Sequence, residues 1–382
     1  MELTRTQASI ATIQPRGPGT DAERRAATWL VRELRARGRE AHTETHWVRP
    51  QWALTALLHA VIGIAASILS VSLPVVGLVI AAIAWLSYVL DLRGRVPLIR
   101  LLTARRATQN VISGPPHGDR QVRLVIACAY DAPPAPGATA VAAGRVQARL
   151  RRALRGHWPS GPSLLVAALT MIVAACAART AGFHPGWLKL AQLVPTVGLL
   201  VALVLLIDIA LSEPSREVDA AGAAALALEL VTQLDATPPR RLAVEVVFAG
   251  AGSAAAQGMR AYVRERRRTV QAERVAVLEL NACSHGAPRY WVRDGPLVPV
   301  RLHPRLIELA SVLADAERQL GACPYSGRSG SAAYAARCAR WPAIAVGCVD
   351  EQRVTAGRSA DSRAPELALE FALGLIAALD AE

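Results

Sequence analysis

The sequence predicts an α/β protein with a doubly wound, largely parallel mixed sheet, into which two transmembrane helical hairpins (four membrane helices) are inserted. Two observations carry this. Short valine-rich runs of strand character alternate with segments whose apolar residues recur at helical spacing, the pattern of a wound sheet. That alternation is twice interrupted by uncharged apolar stretches, each long enough for two spans at about 20 residues apiece.

In chain order, Thr20 or Asp21 caps a helix whose Ala26, Trp29, Leu30 and Leu34 share one face and which ends at Gly38. A strand follows from Glu40 to Val48. From Pro50 to Leu90 there is no Asp, Glu, Lys or Arg, so this segment makes two spans turning near Ser72 and Pro74, or a hairpin dipping into one leaflet. Strand patterns resume at Thr108 to Ser113 and Gln121 to Tyr130, and Pro133 to Gly144 reads as a loop. A third span is expected from Trp158 to Ala178 and a fourth from Leu190 to about Leu211. Helices at Ala220–Leu234, Ser253–Arg267, Pro304–Leu320 and Pro365–Ala381 then alternate with strands at Leu242–Ala249, Val275–Leu280, near Tyr290, and at Ala343–Val349. The α/β body is thus expected in three pieces, residues 1–48, 107–144 and 215–382, with hairpins at 49–106 and 145–214.

Composition agrees with a membrane protein: 52% of residues are hydrophobic, 4% aromatic, and the mean hydropathy is +0.27. The net charge of +13 is carried almost wholly by arginine. No nucleic-acid-binding motif accompanies it, so no nucleic acid partner is expected. The arginines cluster instead beside the spans, at Arg93, Arg95, Arg100, Arg105 and Arg106, then Arg145, Arg149, Arg151, Arg152 and Arg155. The distal turns hold no such charge in the first pair and only Arg179, His184 and Lys189 in the second. Positive charge on the cytoplasmic side would put the α/β body there, in a multi-pass protein of the cell membrane whose first partner is the lipid bilayer. Both insertions cross an even number of times, so the body stays on one side. The first residues lack the apolar core of a signal peptide, and the six cysteines show no CxxC pair, as expected of reduced thiols. Asp208, four residues before the end of the last span, is expected to reach the interface. His42 and His46 alternate on a strand and carry no recognised metal spacing.

The stretch Arg240 to Val263, RRLAVEVVFAGAGSAAAQGMRAYV, reads as a strand, a glycine turn and a helix start, with Leu242, Val244, Val246 and Val247 buried and Ser253 as helix cap. At a strand's carboxyl end in an α/β sheet, such a turn borders the ligand crevice. It resembles the FVFFGAEEQGLLGSRAYV signature of the di-zinc aminopeptidases, the zinc exopeptidase family to which transferrin receptor and nicastrin are similar. The likeness extends over roughly residues 18–48, 107–137 and 215–380. It implies a zinc-exopeptidase-type sheet.

The resemblance also implies five metal-site positions, and most have changed chemistry. The family's paired glutamates, general base and zinc ligand, correspond to Gly252 and Ser253. Its His-Tyr-Asp triplet corresponds to Ala129, Tyr130 and Asp131, so the ligand is replaced while the aspartate that would orient it stays. The bridging carboxylate corresponds to Asp219, or to Val218 if the alignment shifts by one residue. Asn281 stands for a ligand aspartate and Gly357 for the last histidine, with Asp361 and Ser362 trailing it. Zinc needs deprotonated or lone-pair donors in a tetrahedral set, which these side chains do not supply. The resemblance therefore implies a degenerate member with no catalytic residues and no cofactor, its former cleft or its spans binding a protein or peptide partner.

The alternative is an active membrane-bound hydrolase. Substitute zinc ligands could come from His285, Cys128 or Cys283. Otherwise Ser253, set between small residues at a strand-to-helix turn, could act as a nucleophile with His285 and Asp131.

Overall fold

The computed structural model describes residues 2–95, 98–116, 118, 120–154, 158–183, 185–215, 219–281, 283, 286–349 and 363–382. The chain opens with α1 (Glu2–Ala11), which the sequence reading did not anticipate, and α2 (Asp21–Ala36). Thr20 caps α2 as expected, its side chain accepting from the Glu23 amide. Strand β1 (His42–Val48) leads into α3 (Trp52–Leu69) and α4 (Pro74–Leu92), and the chain returns as β2 (Arg106–Ser113) and β3 (Val122–Ala129). Next come α5 (Ala138–Ala153), α6 (Gly161–Thr180), α7 (Gly186–Leu211), α8 (Asp219–Ala236) and β4 (Leu242–Ala249). The remainder is α9 (Gln257–Arg266), β5 (Val275–Leu280), β6 (Ala287–Asp294), β7 (Val300–Arg301), α10 (Pro304–Ala316), β8 (Cys323–Ser326), α11 (Ala332–Cys338), β9 (Ala343–Val349) and α12 (Ala364–Ala381).

Among the described residues the strands form one mixed sheet in the order β1-β2-β4-β3-β5-β9-β6-β7, with β8 also on β6. The centre is parallel, β4 with β3, β3 with β5 and β5 with β9, whereas β1–β2, β2–β4 and β9–β6 are antiparallel. Every residue of β4 and β5 is buried, so helices cover both faces at the centre. Helices α8 and α12 pack together, as do α9 and α11. The parallel strands end together at Ala129, Ala249 and Leu280, which is where the candidate site lies.

Helices α3, α4, α6 and α7 are each long and apolar enough to cross a membrane. They form a bundle around Ala60, Ala81, Leu169, Ile172 and Leu199. Gly63 permits close approach, since a Cβ there would lie 2.5 Å from Leu169 Cδ2 and 2.9 Å from Leu199 Cδ1. Val75, Val79, Ile83, Val194, Val201 and Val204 point outward and are exposed. The first pair joins β1 to β2, neighbouring strands of the sheet, so the sheet pairing closes around the insertion.

Two local expectations, the loop at 138–144 and the helix start at Ser253, are revised. Residues 138–144, read as loop, begin α5, because the Ala-rich run has high helix propensity and outweighs the turn residues before it. Asp208 caps that helix: its carboxylate accepts from the Ala140 amide at 2.9 Å and from the Thr139 hydroxyl, so it meets the α5 start. The helix expected from Ser253 begins only at Gln257. Strands β7 and β8 and the short helix α11 lacked a legible apolar period.

Candidate functional site

The turn between β4 and α9 is backbone-strained and held by three buried side chains. Ala251, Ala255 and Ala256 have φ of 48°, 61° and 52°, the left-handed region that costs a Cβ-bearing residue on the order of 1 kcal/mol. Glu23 Oε1 accepts from the Ala251 amide (2.8 Å) and the Thr108 hydroxyl (2.7 Å), and its Oε2 accepts from the Gly19 amide (2.6 Å). Asn110 Oδ1 accepts from the Gly250 amide (3.0 Å), while its Nδ2 donates to the Gly258 carbonyl (2.9 Å). Asp131 Oδ1 accepts from the Gly252 amide (2.6 Å), and Oδ2 accepts from the Ser253 amide (3.1 Å) and hydroxyl (2.5 Å). Glycine is required at 252 because a Cβ would collide with the Cβ of Ala129.

Behind this turn the charges are enclosed. Arg16 is fully buried, its Nε donating to the Tyr130 carbonyl and its Nη1 to the Ile10 carbonyl. Burial raises the Asp131 carboxyl, against the opposing pull of its hydrogen bonds from Ser253 and Gly252. Glu23 is pushed up to about 7 by burial first and the nearby Asp131 second.

In front of the turn is a cavity of about 370 Å³ bordered by Ala129, Asp131, Gly252, Ser253, Glu279, Asn281, Ser329 and Ser331. Its far wall is the start of α11. Glu279, at the end of β5, accepts from the Ala332 and Ala333 amides at 3.0 and 2.8 Å, and burial pushes its carboxyl up to about 7. Ser331 caps α11, and Asp294 accepts from the Ser329 and Ser331 amides.

The structure therefore brings Ala129, Asp131, Gly252, Ser253 and Asn281 to one cavity. Val218, His285, Gly357, Asp361 and Ser362 lie outside the described residues, and of Asp219 only the backbone at the start of α8 is described. Ser253 does not cap a helix; its hydroxyl is committed to Asp131. Cys128 and Cys283 are buried, and burial pushes the Cys128 thiol up while the neighbouring Cys348 does so first for Cys283, conditions that disfavour a metal-binding thiolate. No imidazole or thiol is among the described cleft residues, and their two carboxylates, Asp131 and Glu279, are held by backbone amides, so these residues do not fit a zinc ion.

No family model and no curated protein sequence matches the chain. Solved structures do. The glutaminyl cyclase of Tannerella forsythia superposes with a TM-score of 0.53 at 10% identity, covering 98% of this chain and 97% of its own. The glutaminyl cyclase of Fimbriiglobus ruber gives 0.54 at 13% identity, covering 99% and 94%. A leucine aminopeptidase precursor of Bacteroides thetaiotaomicron gives 0.51 at 10% identity, covering 98% and 96%. The fold is that of the glutaminyl cyclases and zinc-dependent exopeptidases.

Sequence reasoning missed Glu23, Asn110 and Glu279. Two had signals: Thr20-x-x-Glu23 has capping-box spacing, and Glu279 is a carboxylate inside the otherwise apolar strand VAVLEL. Asn110 had none, since its role exists only once β2 lies beside the turn.

Two outcomes are expected. Gly252→Ala should destabilise the protein by about 1–3 kcal/mol through overpacking against Ala129, and Ala129→Gly in the same chain should recover most of it, as read by thermal unfolding in detergent. A Glu279 carboxyl raised in the fold to about 7 is protonated there at pH values where the unfolded chain has ionised. Its contribution is complete below pH about 4.5 and lost as pH rises through about 7, on the order of 3 kcal/mol. Glu279→Gln should flatten the fall in stability across that window; an unchanged slope would refute the assignment.

Proposed function

We propose that this chain is a membrane-anchored, non-catalytic protein of aminopeptidase-like fold that binds a peptide segment of a partner in the cleft between the β4–α9 turn and α11. The observation that carries this reading is the contact of Gly252 with Ala129. The position that resembles the family's general base has no room for any side chain, and the adjacent Asp131 is spent on the turn itself. A cavity of about 370 Å³, lined by alanines, serines and Asn281 and with its carboxylates Asp131 and Glu279 bonded to backbone amides, suits recognition of a short segment. The glutaminyl cyclase and aminopeptidase names of its structural neighbours favour a peptide as the occupant.

The four apolar helices would anchor the body to the bilayer, with the arginine-rich flanks placing it on the cytoplasmic side. A membrane-impermeant maleimide applied to intact cells should then label Ala181→Cys, in the turn between α6 and α7, and spare the exposed native Cys323 and Cys338 until lysis. The reverse pattern would invert the topology.

The cleft reading is tested with detergent-purified protein and a library of short peptides, the bound fraction being sequenced. Enrichment of one motif is expected, lost in Ser329→Trp, which fills the cavity. No release of N-terminal residues and no glutamine cyclisation should occur, with or without added zinc. Turnover that Ser253→Ala abolishes would replace this reading with that of a hydrolase.

A further inference from the structure

Outside the cleft, the edge strand β1 places His42, Glu44 and His46 on one face by strand alternation, and α9 brings Glu265 against them. One donor atom each from Glu44, His46 and Glu265 lies within 4.8 Å of the others. His46 Nδ1 is 3.4 Å from Glu265 Oε1, and its Nε2 is 3.8 Å from Glu44 Oε2. His42 Nε2 stands 3.6 Å from Glu44 Oε1, at the solvent side.

Two features separate this cluster from a solvated charge patch. The His46 side chain is only 8% exposed, and its Nε2 is buried without a hydrogen-bond partner, a costly state for a ring nitrogen that carries a lone pair or a proton. The charge balance also favours a cation. Arg266 bonds Glu44 at 2.6 and 3.1 Å, stacks on Tyr262 at 4.1 Å and lies 4.0 Å from Glu265, so one guanidinium faces two carboxylates and the cluster stays net negative. Glu265, 49% exposed, gives a path from solvent.

We propose that Glu44, His46 and Glu265 bind a zinc-class divalent cation, with His42 able to complete a tetrahedral set. One imidazole and two carboxylates are donors that zinc accepts in such a set. The cation would clamp the unpaired edge of β1 to α9, the helix that issues from the strained β4–α9 turn. The site is structural and owes nothing to the family's metal centre.

The test uses the full chain in detergent, freed of any histidine tag and stripped with a chelator, then titrated with Zn2+ and separately with Co2+. About one Zn2+ per chain is expected, with visible Co2+ bands of tetrahedral coordination. His46→Ala and, should that variant fold poorly, Glu265→Gln should each weaken binding by roughly tenfold or more and remove the bands. Absence of stoichiometric binding, or binding that survives both ligand variants, overturns the proposal.

Discussion

The structure depends on the seating of one turn. Three alanines adopt left-handed backbone between β4 and α9, and their strain is tolerated because Glu23, Asn110 and Asp131 take up the surrounding backbone groups. Those anchors come from α2, β2 and the end of β3, pieces that the first hairpin and the strand order keep far apart in sequence. The seat of the turn therefore exists only in the assembled sheet. Once closed, the turn sets both the floor of the cleft and the start of α9.

The same arrangement explains what the cleft can and cannot do. A carboxylate such as Asp131 that receives two amides and a hydroxyl has little lone-pair capacity left for a metal or a substrate proton. On the opposite wall, Glu279 is tied to two amides of α11 in the same way. Acidic groups thus surround the cavity, but each is turned into scaffold. Most of the remaining lining is alanine, glycine and serine, with Asn281, a surface that recognises shape and hydrogen-bonding pattern.

Much of this was legible in the sequence. The four apolar helices follow from length and scarcity of charge: α3 lies within the segment drawn from Pro50 to Leu90, and α4 runs two residues past it to Leu92. The parallel strands were legible as valine-rich runs, and the positions converging on the cleft, Ala129, Asp131, Gly252, Ser253 and Asn281, came from motif resemblance. Other features were hidden because they are tertiary. Ser253 has the sequence of a helix cap, but three left-handed residues and Asp131 override local preference and delay α9 to Gln257. Asp208 looked like a carboxylate seeking the interface, and its partner is the first turn of α5, a helix concealed behind a proline-rich approach. His46 read as a strand histidine; only the packing of α9 gives it Glu265.

The most direct test of this account is to locate bound metal by anomalous scattering at the zinc edge, from protein crystallised with equimolar zinc. The account predicts no zinc peak in the cleft between Ala129 and Asn281, whatever occupies the β1 edge. A peak in the cleft, with Asp131 or Asp219 turned toward it, would contradict the claim that the carboxylates there serve the turn and would restore a metal-centred chemistry to the site.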